Sequence, residues 1–143
     1  MSDIHFRKLE NMYLSAPNND YYHPTIHISE GRAEVSIAVR PDFFHAANAV
    51  HGSVYFKLMD DAAFFAANSL VEDAFVLTTS FTVYLTRPVS EGTMTGIGTV
   101  VSRSRRLLIA EAQVVAADGT VVARGSGTFM PSRMPLTPEI GYK

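Results

Sequence analysis

His51-Gly52-Ser53-Val54-Tyr55-Phe56-Lys57-Leu58-Met59-Asp60-Asp61-Ala62-Ala63-Phe64-Phe65-Ala66-Ala67-Asn68-Ser69 reads as the one long helix of this chain. Val54, Leu58, Ala62, Phe65, Ala66 and Ser69 recur at helical spacing and share a face. Plotted at 100° per residue, apolar side chains cover most of the circumference. What remains is a polar arc of Ser53, Lys57, Asp60, Asp61 and Asn68. A helix this apolar is predicted to lie buried under a sheet, with surface to spare for a second subunit.

Downstream the period drops to two. Phe75 to Arg87, Thr93 to Ser102, Leu107 to Ala116 and Thr120 to Met130 are rich in Val, Thr, Ile and Phe and read as four strands. Asp118-Gly119 suggests a primed hairpin turn, because both residues tolerate positive φ. Residues 131–143 hold three prolines and no periodicity, the pattern of a surface tail. Upstream, Thr25 to Glu30 and Ala33 to Arg40 alternate across Gly31 as two short strands or a hairpin, and Pro41 closes that unit before a loop over 42–50. Phe6, Leu9 and Tyr13 give a short amphipathic helix within residues 1–17, from a Ser2/Asp3 cap to Pro17. The expected fold is α+β: an antiparallel sheet folded over one long helix, with a short N-terminal helix.

With 143 residues the chain is the size of one domain. Hydrophobic residues at 47% support a sizeable core, while charged residues at 18% fall below the roughly 25% of an average domain. The deficit predicts that some surface is covered by self-association. A net charge of −2 and a pI near 6.2 argue against a nucleic-acid footprint. The absence of Cys excludes disulfides, thiolate metal sites and a cysteine nucleophile. Met1 to Lys8 lacks the apolar core of a signal peptide and no stretch reaches the ~18 apolar residues of a membrane span, so a cytoplasmic, non-membrane protein is expected. The five histidines show no metal-ligand spacing on a helix, and no cofactor is implied.

The candidate chemistry lies on the long helix. Gly52, where loop becomes helix, presents an unpaired N–H at a positive helix end and allows close approach of a carbonyl, as an oxyanion hole requires. A flexible helix entry is the plainer account. Asp60 sits mid-helix at the edge of the polar arc, where a carboxylate suits a general base or nucleophile, or else an ion pair with Lys57. Asp61, at i,i+4 from Lys57, is the better partner for a solvated pair. Gly52 and Asp60 are separated by about 12 Å of helical rise, too far to reach one acyl carbon together. If both are catalytic, they come from two subunits with antiparallel helices. Arg103, Arg105 and Arg106 cluster in one turn and suit either phosphate or open solvent.

Read in order, these segments resemble a known family. His51-Gly52-Ser53 to Leu58-Met59-Asp60-Asp61-Ala62 is similar to the His-Gly-Gly … Asp-x-Ala signature of PaaI-like hotdog-fold acyl-CoA thioesterases. Thr78-Thr79-Ser80-Phe81-Thr82-Val83-Tyr84-Leu85-Thr86-Arg87-Pro88-Val89 resembles that family's strand ending in Arg-Pro, so that the likeness runs over about residues 40 to 130. The resemblance implies a sheet wrapped round the helix, dimers that pair into tetramers, and hydrolysis of an acyl-CoA. It implies Asp60 as base or nucleophile, the partner's Gly52 amide on the thioester carbonyl, and Thr78 orienting water or the acyl group.

Coenzyme A would then run past Arg87 towards Arg103, Ser104 and Arg106, with His51 and Ser53 at the helix entry and Phe64 beside an apolar acyl pocket. Two departures stand out. His45 replaces an Asn of the family pattern and would act as a donor in its place, while Asn48 replaces a glycine, as the residue besides glycine most tolerant of left-handed backbone. Ser53 stands for the second glycine and can cap the helix. Two rival functions fit the same fold: a hydratase or dehydratase of enoyl or hydroxyacyl thioesters, which would set His45 or His51 against Asp60 of the partner, and a non-catalytic acyl-CoA binding module.

Overall fold

A computed structural model of the chain describes residues 2–143, Met1 lying outside them. Helix α1 (Asp3–Ser15) starts at a Ser2 cap, and a single turn α2 (Asn19–Tyr22) follows. Strands β1 (Thr25–Ser29) and β2 (Arg32–Ala38) form the expected hairpin, and a 3-10 turn at Pro41–Phe43 leads into the loop before α3 (Gly52–Asn68). Strands β3 (Ala74–Leu85), β4 (Thr93–Arg103), β5 (Leu108–Val115) and β6 (Val121–Pro135) complete one antiparallel sheet in the order β1-β2-β4-β5-β6-β3. β4, β5 and β6 meander, while β3 returns to the far edge beside β6.

The sheet wraps α3 because its inward positions alternate. Ala33, Val35 and Ile37 on β2, and Leu108, Ala110 and Val114 on β5, are buried against the helix. Gly96 and Gly98 on β4 let the helix backbone approach closely, since a Cβ on either would collide with the Leu58 or Ala62 backbone. Val54, Leu58, Ala62, Phe65, Ala66 and Ser69 are all buried, as their spacing predicts.

Three expectations need correction. Asn68 does not belong to the polar arc. It is fully buried, and its amide holds the Val71 and Ala74 carbonyls and the Val76 N–H, fixing the chain reversal into β3. The Asp118-Gly119 turn is not primed, since only Gly119 has positive φ, at 87°. Its N–H reaches the Ala116 carbonyl while Asp118 caps the Thr120 N–H, giving a longer turn with glycine in the left-handed place.

Residues 131–143 are not simply a tail, because β6 continues to Pro135, pairing Pro131 with Val76 and Pro135 with Ala74. Beyond Phe129 the strand has no β5 neighbour, so the missing proline N–H leaves no ladder bond unmade on that side. Leu136, Ile140 and Tyr142 then fold back on the core, where the Tyr142 hydroxyl meets His5 Nδ1 at 2.7 Å.

Candidate active site

Asp60 projects from the middle of α3 into a cleft of about 570 Å³ between α3, β3, α1 and the residues after β6. Its walls are mainly apolar, from Met12, Phe64, Phe65, Phe75, Met134 and Ile140. The Thr78 hydroxyl donates to Asp60 Oδ1 at 2.8 Å. Burial pushes the Asp60 carboxyl above the ordinary carboxylate range; the Thr78 bond and Lys57 pull it down, and the Asp61 charge pushes it further up. The arrangement is a partly buried carboxylate lining a largely apolar pocket, with a hydrogen bond on Oδ1 and none on Oδ2 among the described residues, a group suited to taking a proton from a bound water.

Thr78 points inward with Val76, and β3 is irregular just beyond it. Register shifts between Thr78 and Ser80, leaving Thr79 as the extra residue of a bulge. Before the bulge the inward positions are Val76 and Thr78; after it they are Phe81 and Val83. The change of parity is not visible in the sequence, where Phe75, Leu77, Phe81, Val83 and Leu85 keep apolar residues at odd positions on both sides of the bulge and no turn residue marks it.

The sequence reading missed the wall supplied by α1. Tyr13 donates to Asp61 Oδ2 at 2.7 Å, and Lys57 Nζ approaches the same oxygen at 2.8 Å. The Lys57–Asp61 pair is therefore not a solvated one: its side chains are only 12% and 19% exposed. Burial, reinforced by Asp61, pushes the Tyr13 phenol up and keeps it a donor. In the sequence Tyr13 reads only as part of the apolar face of α1, and a tertiary contact between residues 13 and 61 leaves no local pattern.

The helix entry forms a second, separate depression lined by His45, Gly52, Tyr55, Leu85 and Arg87. His51 caps α3, its Nδ1 accepting from the Ser53 N–H at 3.0 Å and contacting the Ser53 hydroxyl at 2.9 Å. The Gly52 N–H has no hydrogen-bond partner among the described residues. The loop before it is shaped by Asn48, at φ 62°, whose N–H donates to the His45 carbonyl, and His45 Nδ1 accepts from the Ala47 N–H at 3.0 Å. Asn48 thus takes the left-handed conformation expected of it. The Tyr55 hydroxyl holds the Arg87 carbonyl at 2.9 Å.

Asp60, Thr78 and Phe64 therefore share one cleft, and Gly52, His45 and Arg87 share another. Arg103 and Ser104 lie elsewhere, in a polar depression with Glu72 and Asp73, where Arg103 donates to the Leu70 carbonyl. Arg106 is exposed and lines none of the three. Within one chain, Arg87 and the 103–106 turn do not form a common anion site. No group of three or more His, Asp or Glu among the described residues could hold a metal ion, and none of the described helices is long and apolar enough to cross a membrane.

The Thioesterase superfamily matches residues 47–123, just over half of the chain, from the loop before α3 into β6. Among solved structures, the E. coli PaaI protein from the phenylacetic acid degradation operon superposes with a TM-score of 0.84 at 21% identity, covering 94% of this chain and 100% of that one. A thioesterase family protein from Silicibacter pomeroyi gives 0.80 at 27% identity, covering 87% and 95% respectively. A thioesterase from Haemophilus influenzae gives 0.77 at 17% identity, covering 84% and 85%. No curated protein matches. The wrapped helix and these superpositions make the architecture the hotdog fold.

Proposed function

The chain belongs to the thioesterase superfamily, and from that premise we propose that it hydrolyses an acyl-CoA thioester with Asp60 as general base. The observation that carries this reading is the Asp60–Thr78 pair in the wall of the largely apolar cleft. A desolvated carboxylate is a stronger base than a solvated one, and Thr78 fixes one oxygen so that the other faces the incoming water. Asp60 takes the water proton as hydroxide oxygen bonds to the thioester carbon. The carbonyl oxygen becomes an oxyanion on the Gly52 N–H, and collapse expels the CoA thiolate, which receives the proton from Asp60.

Gly52 and Asp60 of one chain open into different depressions, so each reaction centre draws its oxyanion donor from a second protomer. The outer edge of the molecule supports such pairing. Among the described residues β3 has no neighbour on its far side, and it exposes Leu77, Tyr84 and Leu85, while Phe56 of α3 is exposed as well and packs against Phe81 of the same strand. Pairing there would cover apolar surface consistent with the low charge content, in a dimer or a dimer of dimers.

The test is free-thiol release from butyryl-, octanoyl- and benzoyl-CoA by wild type and Asp60→Asn. We expect turnover of at least one thioester, and a loss of about 100-fold or more in the variant. Turnover unaffected by the substitution removes Asp60 from the chemistry. Saturable binding without any thiol release selects the non-catalytic binding module instead.

A further inference from the structure

Lys57 lies three residues before Asp60 and four before Asp61, and helical geometry lets it pair with either. It pairs with Asp61, at 2.8 Å. Groups outside α3 also contact it there: Asn18 Oδ1 accepts from Lys57 Nζ at 2.7 Å, and the ammonium lies 4.7 Å from the Tyr22 ring centre and 5.5 Å from that of Tyr13. Tyr13 also donates to the same Asp61 oxygen. Every one of these outer groups belongs to α1, α2 or the turn between them.

We infer that the α1–α2 segment is a charge-holding device for the reaction centre, in which Tyr13, Asn18 and Tyr22 keep the Lys57 ammonium on Asp61 and withhold it from Asp60. Lys57, Asp61 and the α1–α2 residues are positioning residues that act through Asp60; the inference rests on Asp60 being the base. Its physical content is that an ion pair with Lys57 would stabilise the Asp60 carboxylate and weaken it as a base. With Lys57 held on Asp61, its charge still reaches Asp60, but the carboxylate forms no ion pair with it and stays in a mostly apolar wall. The charged groups lining the cleft are Lys57, Asp60 and Asp61 of α3, faced by Tyr13 from α1 and Thr78 from β3. Burial, with the Asp61 charge adding to it, already sets Asp60 above the ordinary range, in the direction the device would maintain.

The test is the pH profile of kcat/KM for thiol release from whichever of the three acyl-CoAs wild type turns over best. Asp61→Asn removes the negative neighbour and frees Lys57 for Asp60. Its acid limb is expected about one pH unit below wild type. Lys57→Gln removes the cation and leaves Asp61 charged, so its limb is expected about one unit above. Lys57→Arg retains the charge and should keep the wild-type limb. Asn18 is exposed, so Asn18→Ala loosens the cage without threatening the fold, and its limb should move down by a smaller step.

Opposite displacements in Asp61→Asn and Lys57→Gln show that both charges act on Asp60, and a downward step in Asn18→Ala establishes that the α1–α2 residues hold Lys57 away from it, because a purely structural defect lowers the rate without moving the limb in these directions. An unmoved or raised limb in Asn18→Ala overturns it, as do limbs of Asp61→Asn and Lys57→Gln that coincide with wild type or move the same way. Failure of the Asp60 reading has a different signature: Asp60→Asn then retains its activity.

Discussion

The entry and the middle of α3 are built by opposite means. At the entry, the candidate groups belong to the backbone and to local loop geometry: the Gly52 N–H, the His51 cap and the left-handed Asn48 lie within a few residues of one another. In the middle, Asp60 owes its character to partners distant in sequence, Thr78 on β3 and, through Asp61 and Lys57, Tyr13 and Asn18 near the N-terminal helix. A site made by backbone tolerates side-chain changes but not loss of one N–H. A site made by burial and long-range hydrogen bonds responds to each of its neighbours in the pH at which it works.

The sharpest way to break the comparison is Gly52→Pro. Position 52 opens the helix and His51 before it is already extended, so proline removes the N–H with little change of backbone. Thiol release should fall about 100- to 1000-fold. Gly52→Ala keeps the N–H and meets only the flexible end of Leu85, so kcat should fall far less. Equal losses in both variants would show that the space at position 52 matters and the N–H does not.

Thr78→Val is expected to have an intermediate effect. Without the hydroxyl, Asp60 loses the bond that favours its carboxylate, so a higher pH is needed to ionise it. The acid limb of kcat/KM should move up and the rate at neutral pH fall about tenfold, the loss of one hydrogen bond to a charged group. Thr78→Ser should behave as wild type. An unmoved limb in Thr78→Val would detach the bulge in β3 from the chemistry.

The smallest effect is expected from Ser53→Ala. His51 Nδ1 would still accept from the residue-53 N–H, so stability should fall by only about 0.5 kcal/mol in thermal or urea unfolding. A larger cost would mean that the helix entry depends on side chains more than its geometry suggests.

The same division explains what could be read from sequence. The apolar spacing of α3 and the alternation of β2, β4 and β5 are local signals, and they gave the buried helix and the wrapped sheet. Asn48 at positive φ was legible for the same reason. Asn68 and Lys57 were misread as solvated because the wheel records polarity, not what covers it, and their partners at Val76 and Tyr13 lie on other elements. The end of β6 was hidden by prolines, whose exclusion from strands holds only where both neighbours are present. Asp60 stood out by position as a candidate, while the bulge beside Thr78 and the α1 wall opposite left no signal.

The central claim is that each reaction centre takes Gly52 from one protomer and Asp60 from another, and subunit exchange between two inactive variants tests it most directly. Asp60→Asn and Gly52→Pro proteins are mixed after dissociation and reassociation, and thiol release is compared with each variant alone. Shared centres give one intact site in every mixed pair and about a quarter of wild-type activity for statistical exchange across a two-fold interface. Activity no higher than that of the separate variants, with mixed oligomers shown to have formed, would contradict the account.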